Sequence, residues 1–347
     1  MKTTTIWLDQ CMPGMRIAET VTNNYMATVV NNGTILDTHI IEKLKNMNYQ
    51  KIRVYIGTDQ EIEDNPYEAV RREYGQNVDN MKDVLHNLTV GKALDISTID
   101  EISSSMFRRR EDVVGILSCL NQVRDADEYT YSHCLNVAFI CLLIAKWLNY
   151  SETSYNEVLE AGLLHDVGKC RVPAEILNKP ARLTPAEFAE MKKHPVYGYQ
   201  MLEGVADVRA TSALAALEHH EKTDGTGYPF GLHGKKIHPF GKICAVADIY
   251  DAMTSNRVYH KKESPFEVFR ILEDLAFGSL DPTIVVSFLQ NLAGYYIGDR
   301  ALLSNGQEGL VVFINPRSIS RPVIQTSDGL VNLDDSENHS LIVSQLL

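Results

Sequence analysis

The chain lacks any long apolar run. Its longest, VAFICLLIA over 137–145, stops at Lys146, well short of the roughly 20 apolar residues that a membrane-spanning helix needs. Membrane insertion is therefore not expected, and the run reads as a buried helix. An export signal is also missing. The first residues, MKTTTIWLDQCMPGM, hold neither a continuous apolar core nor a small-residue cleavage site, so a cytoplasmic protein is expected. Cysteine is sparse and irregularly spaced: the six residues (Cys11, Cys119, Cys134, Cys141, Cys170, Cys244) include no CxxC pair. That leaves no disulfide framework and predicts free thiols in a reducing compartment. Positive charge is in deficit, 33 Lys and Arg against 45 Asp and Glu, for a formal net charge of −12. This balance argues against a surface that coats nucleic acid polymers. A small anionic substrate is still allowed, because screening beyond about 8 Å lets local charges decide. There is no internal repeat and no low-complexity tract.

What is present is ordinary in bulk. The 347 residues, 44% hydrophobic and 22% charged, suit two or three domains, or one large core with small appendages. Residues 1–60 read as a small α/β module. MRIAETVTN and MATVVNNGTILD suggest short strands and an Asn-Asn-Gly turn, HIIEKLKNM a short amphipathic helix, and KIRVYIG another strand. The acidic TDQEIED (58–64) suits a boundary. Residues 61–125 read as a helical linker region, where Val78, Met81, Val84, Leu85 and Leu88 make a stripe at helical spacing. Left exposed, that stripe would be a homodimer seam. RRRED (108–112) is read as a solvated helix face. Residues 126–300 have the long apolar faces of packed helices. Residues 301–347 turn to short β-rich runs with Asn-Gly and Asp-Gly turns, a hairpin or meander. The expected fold is mainly α, with a small N-terminal α/β module and a short β-rich C-terminal segment.

Histidine carries the chemistry. Five of the eleven (His133, His165, His194, His219 and His220) fall in the helical region, in a helix or at a helix end. His133 shares a stripe with Val137, Ile140 and Ile144. His165 and Asp166 end the apolar LEAGLL, and His194 precedes Pro195 at an expected N-cap. His219 and His220 end SALAALE, and Asp248 lies inside the apolar ICAVADIYDAM. A lone core histidine is satisfied by a backbone carbonyl more often than by a metal. Five histidines and two aspartates on buried faces of one domain are different, since unpaired polar groups cost a few kcal/mol each to bury. A shared metal centre removes that cost, and imidazole with carboxylate is a donor set that Fe, Mn and Zn accept. Seven ligands exceed the needs of one ion with an open position. Two divalent ions sharing one carboxylate, with a bridging hydroxide, would use all seven, as in sites for displacement at phosphorus. Two ions, two aspartates and one hydroxide sum to about +1, a positive pocket in an acidic protein.

The motifs DEYTYSHCLNVA (127–138), LLHDVGK (163–169), HPVYGYQML (194–202), HHEKTDGTGYPFG (219–231) and ADIYDAMTSNRVY (247–259) occur in that order. Together they resemble the HD-GYP family, a branch of the HD superfamily of metal-dependent phosphohydrolases. The likeness covers roughly 125–320, and the first 60 residues resemble a small module often found before such domains. It implies an all-α catalytic core that hydrolyses cyclic di-GMP to pGpG, GMP or both. It implies that His133, His165, Asp166 and Asp248 hold one metal, and Asp166, His194, His219 and His220 the other, with Asp166 bridging. Fe or Mn is expected, with Zn as the alternative. Lys169 would contact the scissile phosphate or leaving oxygen, and Asp251, Arg257, Gly227 and Tyr228 would lie at the substrate. His260 stands where the family often has a basic residue. Some members bind a third metal through a carboxylate one turn before the first histidine. Here those positions are Tyr129 and Thr130, and Glu128 is off phase, so two ions are expected. Two other readings stand beside the enzyme: a sensor that binds cyclic di-GMP without turnover, and a hydrolase of another cyclic dinucleotide.

Overall fold

The computed structural model describes residues 2–56, 66–122, 129–255 and 263–347. The N-terminal strands β1 (Lys2–Trp7) and β4 (Lys51–Ile56) pair antiparallel, with β2 (Val21–Thr22), β3 (Thr28–Val30) and α1 (Thr38–Asn46) between them. Asp37 caps α1 by accepting from the Ile40 N–H at 2.5 Å. The helix then lays Ile40, Ile41 and Leu44 on a small core with Ile17, Leu36, Ile52 and Val54. This core is separate from the main one.

The main core is helical and is built around α5 (Tyr129–Trp147). Every residue from Ser132 to Ala145 is buried, which is what a helix apolar all round its circumference requires. It is the one described helix long and apolar enough to cross a membrane, and 78% of the relevant stretch is covered by the chain itself. The covering elements are α2 (Pro66–Thr89), α4 (Val113–Gln122), α6 (Glu152–Leu164), α11 (Pro239–Thr254) and α13 (Pro282–Ala293). α3 (Ile96–Arg108) and α10 (Ala210–Glu218) pack on α6 in turn. The stripe on α2 offers no dimer seam. Val78, Met81, Val84 and Leu85 are buried, and Leu88 packs against the same core, so the chain itself consumes the face that looked unpartnered.

Shorter helices α7 (Ala174–Leu177), α8 (Pro185–Met191) and α9 (His194–Leu202) follow α6, and α12 (Pro265–Ala276) precedes α13. The chain ends in a five-stranded antiparallel sheet, β5 (Arg300–Leu303), β6 (Glu308–Asn315), β7 (Ser318–Thr326), β8 (Gly329–Asn332) and β9 (Val343–Leu346). Its order is β8-β7-β6-β5-β9, a meander whose last strand returns beside β5. Val311, Ile319, Ile324 and Val343 face the helical core from it. The N-terminal module is tied to this end of the molecule by the buried pair Lys43–Asp299 at 3.1 Å. A second tie is the 2.6 Å bond from Asn23 Nδ2 to the Val312 carbonyl. The described cysteines, Cys11, Cys134, Cys141, Cys170 and Cys244, are free thiols.

Candidate metal centre

Helix ends supply most of the site. α6 stops at Leu164, so His165 and Asp166 stand at its exit, ahead of a 3-10 turn over Val167–Arg171. α9 opens on His194, with Lys193 rather than His194 at the cap. α10 ends at Glu218, leaving His219 and His220 just beyond it. His133 and Asp248 come from within α5 and α11. Two glycines permit the close approach. A Cβ on Gly162 would lie 2.5 Å from Ala138 Cα, so α6 can lie directly on α5. A Cβ on Gly168 would lie 2.0 Å from the His194 carbonyl oxygen, so the turn after Asp166 can touch the start of α9.

The hydrogen bonds decide which ring nitrogens face inward. His165 Nδ1 lies 2.7 Å from the Gly162 carbonyl, His194 Nδ1 2.8 Å from that of Met191, and His219 Nδ1 2.9 Å from that of Ala216. A carbonyl only accepts, so in each case Nδ1–H donates. His133 Nδ1 is 2.7 Å from Asp251 Oδ2 and donates there. In neutral imidazoles the four Nε2 atoms are then lone-pair acceptors, and they converge. His194 Nε2 and His219 Nε2 face each other at 3.3 Å. Asp166 Oδ1 lies 3.3 Å from His194 Nε2 and 3.7 Å from His219 Nε2. Its Oδ2 lies 3.3 Å from His165 Nε2 and 3.6 Å from His133 Nε2. Asp248 Oδ1 is 3.2 Å from His133 Nε2. Acceptors face acceptors throughout.

Such an arrangement is unstable without a cation. His165 Nε2 and Asp166 Oδ1 are fully buried and have no hydrogen-bond partner, a loss of about 1–3 kcal/mol for each group. The donors fall into two groups, each with its atoms within 4.8 Å of one another: His133, His165 and Asp248, and Asp166, His194, His219 and His220. Asp166 presents one oxygen to each group. The donor set fits two cations sharing that carboxylate.

Electrostatics keep the ligands in the right form. Burial pushes His194 down to about 4, against the opposing pull of Asp166. Burial also drives His219 well below the ordinary histidine value and lowers His220, so all three are neutral near pH 7. Burial opposes the charge on Asp166, but the Lys169 ammonium outweighs it and holds the carboxyl well below its usual range.

The remaining expected residues divide. Lys169 bonds Asp166 Oδ2 and is a third exposed. Burial works against its charge, yet Asp166 and Asp248 raise its pKa, leaving a cation at the open side of the centre. Tyr228 stacks on His220, ring centroids 4.7 Å apart and 29° from parallel, forming an aromatic wall. Gly227 lies against backbone instead: a Cβ there would meet Lys222 N at 2.4 Å. Asp251 is not on the open side that Lys169 occupies. It is 1% exposed and stands behind His133. Arg257, His260 and Glu128 lie outside the described residues, and Thr130 is exposed.

Two contributors, Asn136 and Glu221, were missed from sequence, and Asp251 was named there in a different role. Asp251 and Asn136 support His133, the amide donating to Asp251 Oδ1 at 2.8 Å. Glu221, buried, accepts from the Phe230 N–H at 2.7 Å and the Leu232 N–H at 2.9 Å, and so ties the Gly-Tyr-Pro loop to the paired histidines. An acidic residue heading a loop rich in turn formers, whose N–H groups lack strand partners, was the available signal.

A family model described as an HD domain matches residues 117–284. The fold and centre thus define an HD-domain protein, a class that binds divalent metal. Within that class the chain belongs to the HD-GYP family. It is 35% identical over 240 residues to a cyclic di-GMP phosphodiesterase of Pseudomonas aeruginosa, covering 68% of this chain and 57% of that one. It is 37% identical over 197 residues to a cyclic di-GMP phosphodiesterase of Thermotoga maritima, covering 55% and 53%. A 3'3'-cGAMP-specific phosphodiesterase of Vibrio cholerae is 33% identical over 191 residues, covering 54% and 43%. The chain thus spans little more than half the length of the first two relatives. Among solved structures, an HDG"Y"P protein from Bdellovibrio bacteriovorus shares the fold, with a TM-score of 0.54 at 17% identity over 84% of this chain and 99% of that one.

Proposed function

We propose that the protein is a bacterial, cytoplasmic phosphodiesterase that hydrolyses cyclic di-GMP to pGpG, GMP or both. The observation that carries this reading is the set of convergent acceptors, with His165 Nε2 and Asp166 Oδ1 buried and partnerless and Asp166 turned toward both donor groups. His133, His165 and Asp248 would hold one ion, His194, His219 and His220 the other, and Asp166 both. Fe or Mn suits these donors, with Zn acceptable. Bound ions would supply water activated at neutral pH and positive charge against the phosphate. Lys169 would hold a nonbridging or leaving oxygen, since its ammonium sits beside Asp166 with a third of its surface open. Tyr228 would stack against a base while it braces His220. Catalysis is assigned to residues 126–300, and the module over 1–60 to regulation or structural support.

The test is a product assay. Protein purified anaerobically and loaded with Mn²⁺ is expected to convert cyclic di-GMP to pGpG or GMP, resolved by chromatography. 3'3'-cGAMP is the comparison substrate, because relatives carry that specificity in their names. Faster turnover of 3'3'-cGAMP would change the substrate assignment. Two bound ions with turnover of neither would leave a cyclic-dinucleotide sensor.

A further inference from the structure

Three ligand histidines are oriented locally. His165, His194 and His219 each donate Nδ1–H to a carbonyl three residues earlier in their own chain segment. The backbone that carries the ring therefore also sets its tautomer. His133 is different, because it lies inside α5, where the carbonyls are occupied by helix bonds. Its Nδ1 depends on Asp251, which belongs to α11.

Asp251 is itself held. Its Oδ1 accepts from Asn136 Nδ2 at 2.8 Å and from Ser255 Oγ at 3.2 Å, while Oδ2 accepts from His133 Nδ1–H. Asn136 could present either end of its amide to the carboxylate. What decides is Tyr74 on α2, whose hydroxyl lies 2.6 Å from Asn136 Oδ1 and 3.5 Å from the Ser132 carbonyl. A phenol that donates to Oδ1 turns Nδ2 toward Asp251. The flipped amide would set its oxygen against the carboxylate. Tyr74, Asn136, Asp251 and His133 are all buried, so none can exchange its partner for water. The ring of Tyr74 has a separate packing role, stacked on Phe139 at 6.4 Å and 13°. The hydroxyl is not needed for that.

We infer that Tyr74 is a positioning residue for the metal ligand His133, acting through Asn136 and Asp251. The inference rests on the metal-centre reading above. Tyr74 lies outside the stretch matched by the HD-domain model, 117–284, so this support for His133 comes from an element before that stretch. The group of His133, His165 and Asp248 depends on this chain of bonds; the group around His194 and His219 does not.

The test is Mn²⁺ binding to the full chain stripped of metal, followed by calorimetry and by electron paramagnetic resonance. His133→Ala and His194→Ala identify which binding event belongs to which group. Tyr74→Phe keeps the ring and removes the hydroxyl. It should weaken only the His133 event, by about tenfold, the low end of the range for outer partners of a metal ligand. Asn136→Leu, of similar size, should give the same selective loss. Tyr74→Phe added to Asp251→Asn should weaken binding no further than Asp251→Asn alone, because both break one chain of bonds. Equal weakening of both events, additive losses, or no change in either variant would overturn the inference while leaving the metal centre intact. A wild-type chain that binds no Mn²⁺ would overturn the metal centre and this inference with it.

Discussion

Asp166 and Lys169 have opposite needs in a folded chain without ions. Asp166 is buried among lone pairs, and among the described residues the group that donates to it is the Lys169 ammonium. Divalent ions would take over that neutralising role and free Lys169 for an anion on the open side. Lys169→Ala is therefore expected to leave metal content near that of the wild type while lowering kcat/KM by about 10²-fold or more, as for removal of a group that meets developing charge. Metal analysis beside steady-state kinetics checks this. An unchanged rate would remove Lys169 from the mechanism. Asp251 shows where residue-level inference reached its limit. It stands three residues after Asp248 on α11, so helical spacing places both carboxylates on neighbouring faces. Which one points into the centre and which stands behind His133 depends on how α11 lies against α5, and no local spacing encodes that.

At the level of elements, the centre exists because helix ends can be brought closer than helix barrels. Gly168 is the point of contact between the turn that carries Asp166 and the first turn of α9. Gly168→Ala would set a methyl group 2.0 Å from the His194 carbonyl oxygen, so the two segments must separate. The expected result is destabilisation of about 1–3 kcal/mol, the usual range for overpacking, with loss of the ion held by His194, His219 and His220. Thermal unfolding and metal analysis measure both. A variant with two ions and an unchanged Tm would show that the contact is not needed. The helix ends themselves were legible, because LEAGLL and SALAALE run apolar and then stop at polar pairs. The partner of each helix was not. Val78, Met81, Val84 and Leu85 marked the apolar face of α2 unambiguously, yet a stripe looks the same whether it meets a second molecule or α5 of its own chain. The Asn305-Gly306 and Asp328-Gly329 turns were likewise readable. The return of β9 beside β5 was not, since it is a pairing between distant segments.

For the whole molecule, the centre is a cross-link. Its ligands come from α5, the exit of α6, the start of α9, the exit of α10, and α11, so ions bound there would join elements spread from residue 133 to residue 248. Asp166 is the residue on which this account turns, since among the described residues it alone offers an oxygen to both donor groups. The most direct measurement is the metal content of anaerobically purified wild-type protein and of Asp166→Ala, read with hydrolysis of cyclic di-GMP on the same samples. The account predicts two ions per chain and turnover in the wild type, with both ions weakened and turnover abolished in Asp166→Ala. A variant that still holds two ions and still turns over would contradict it.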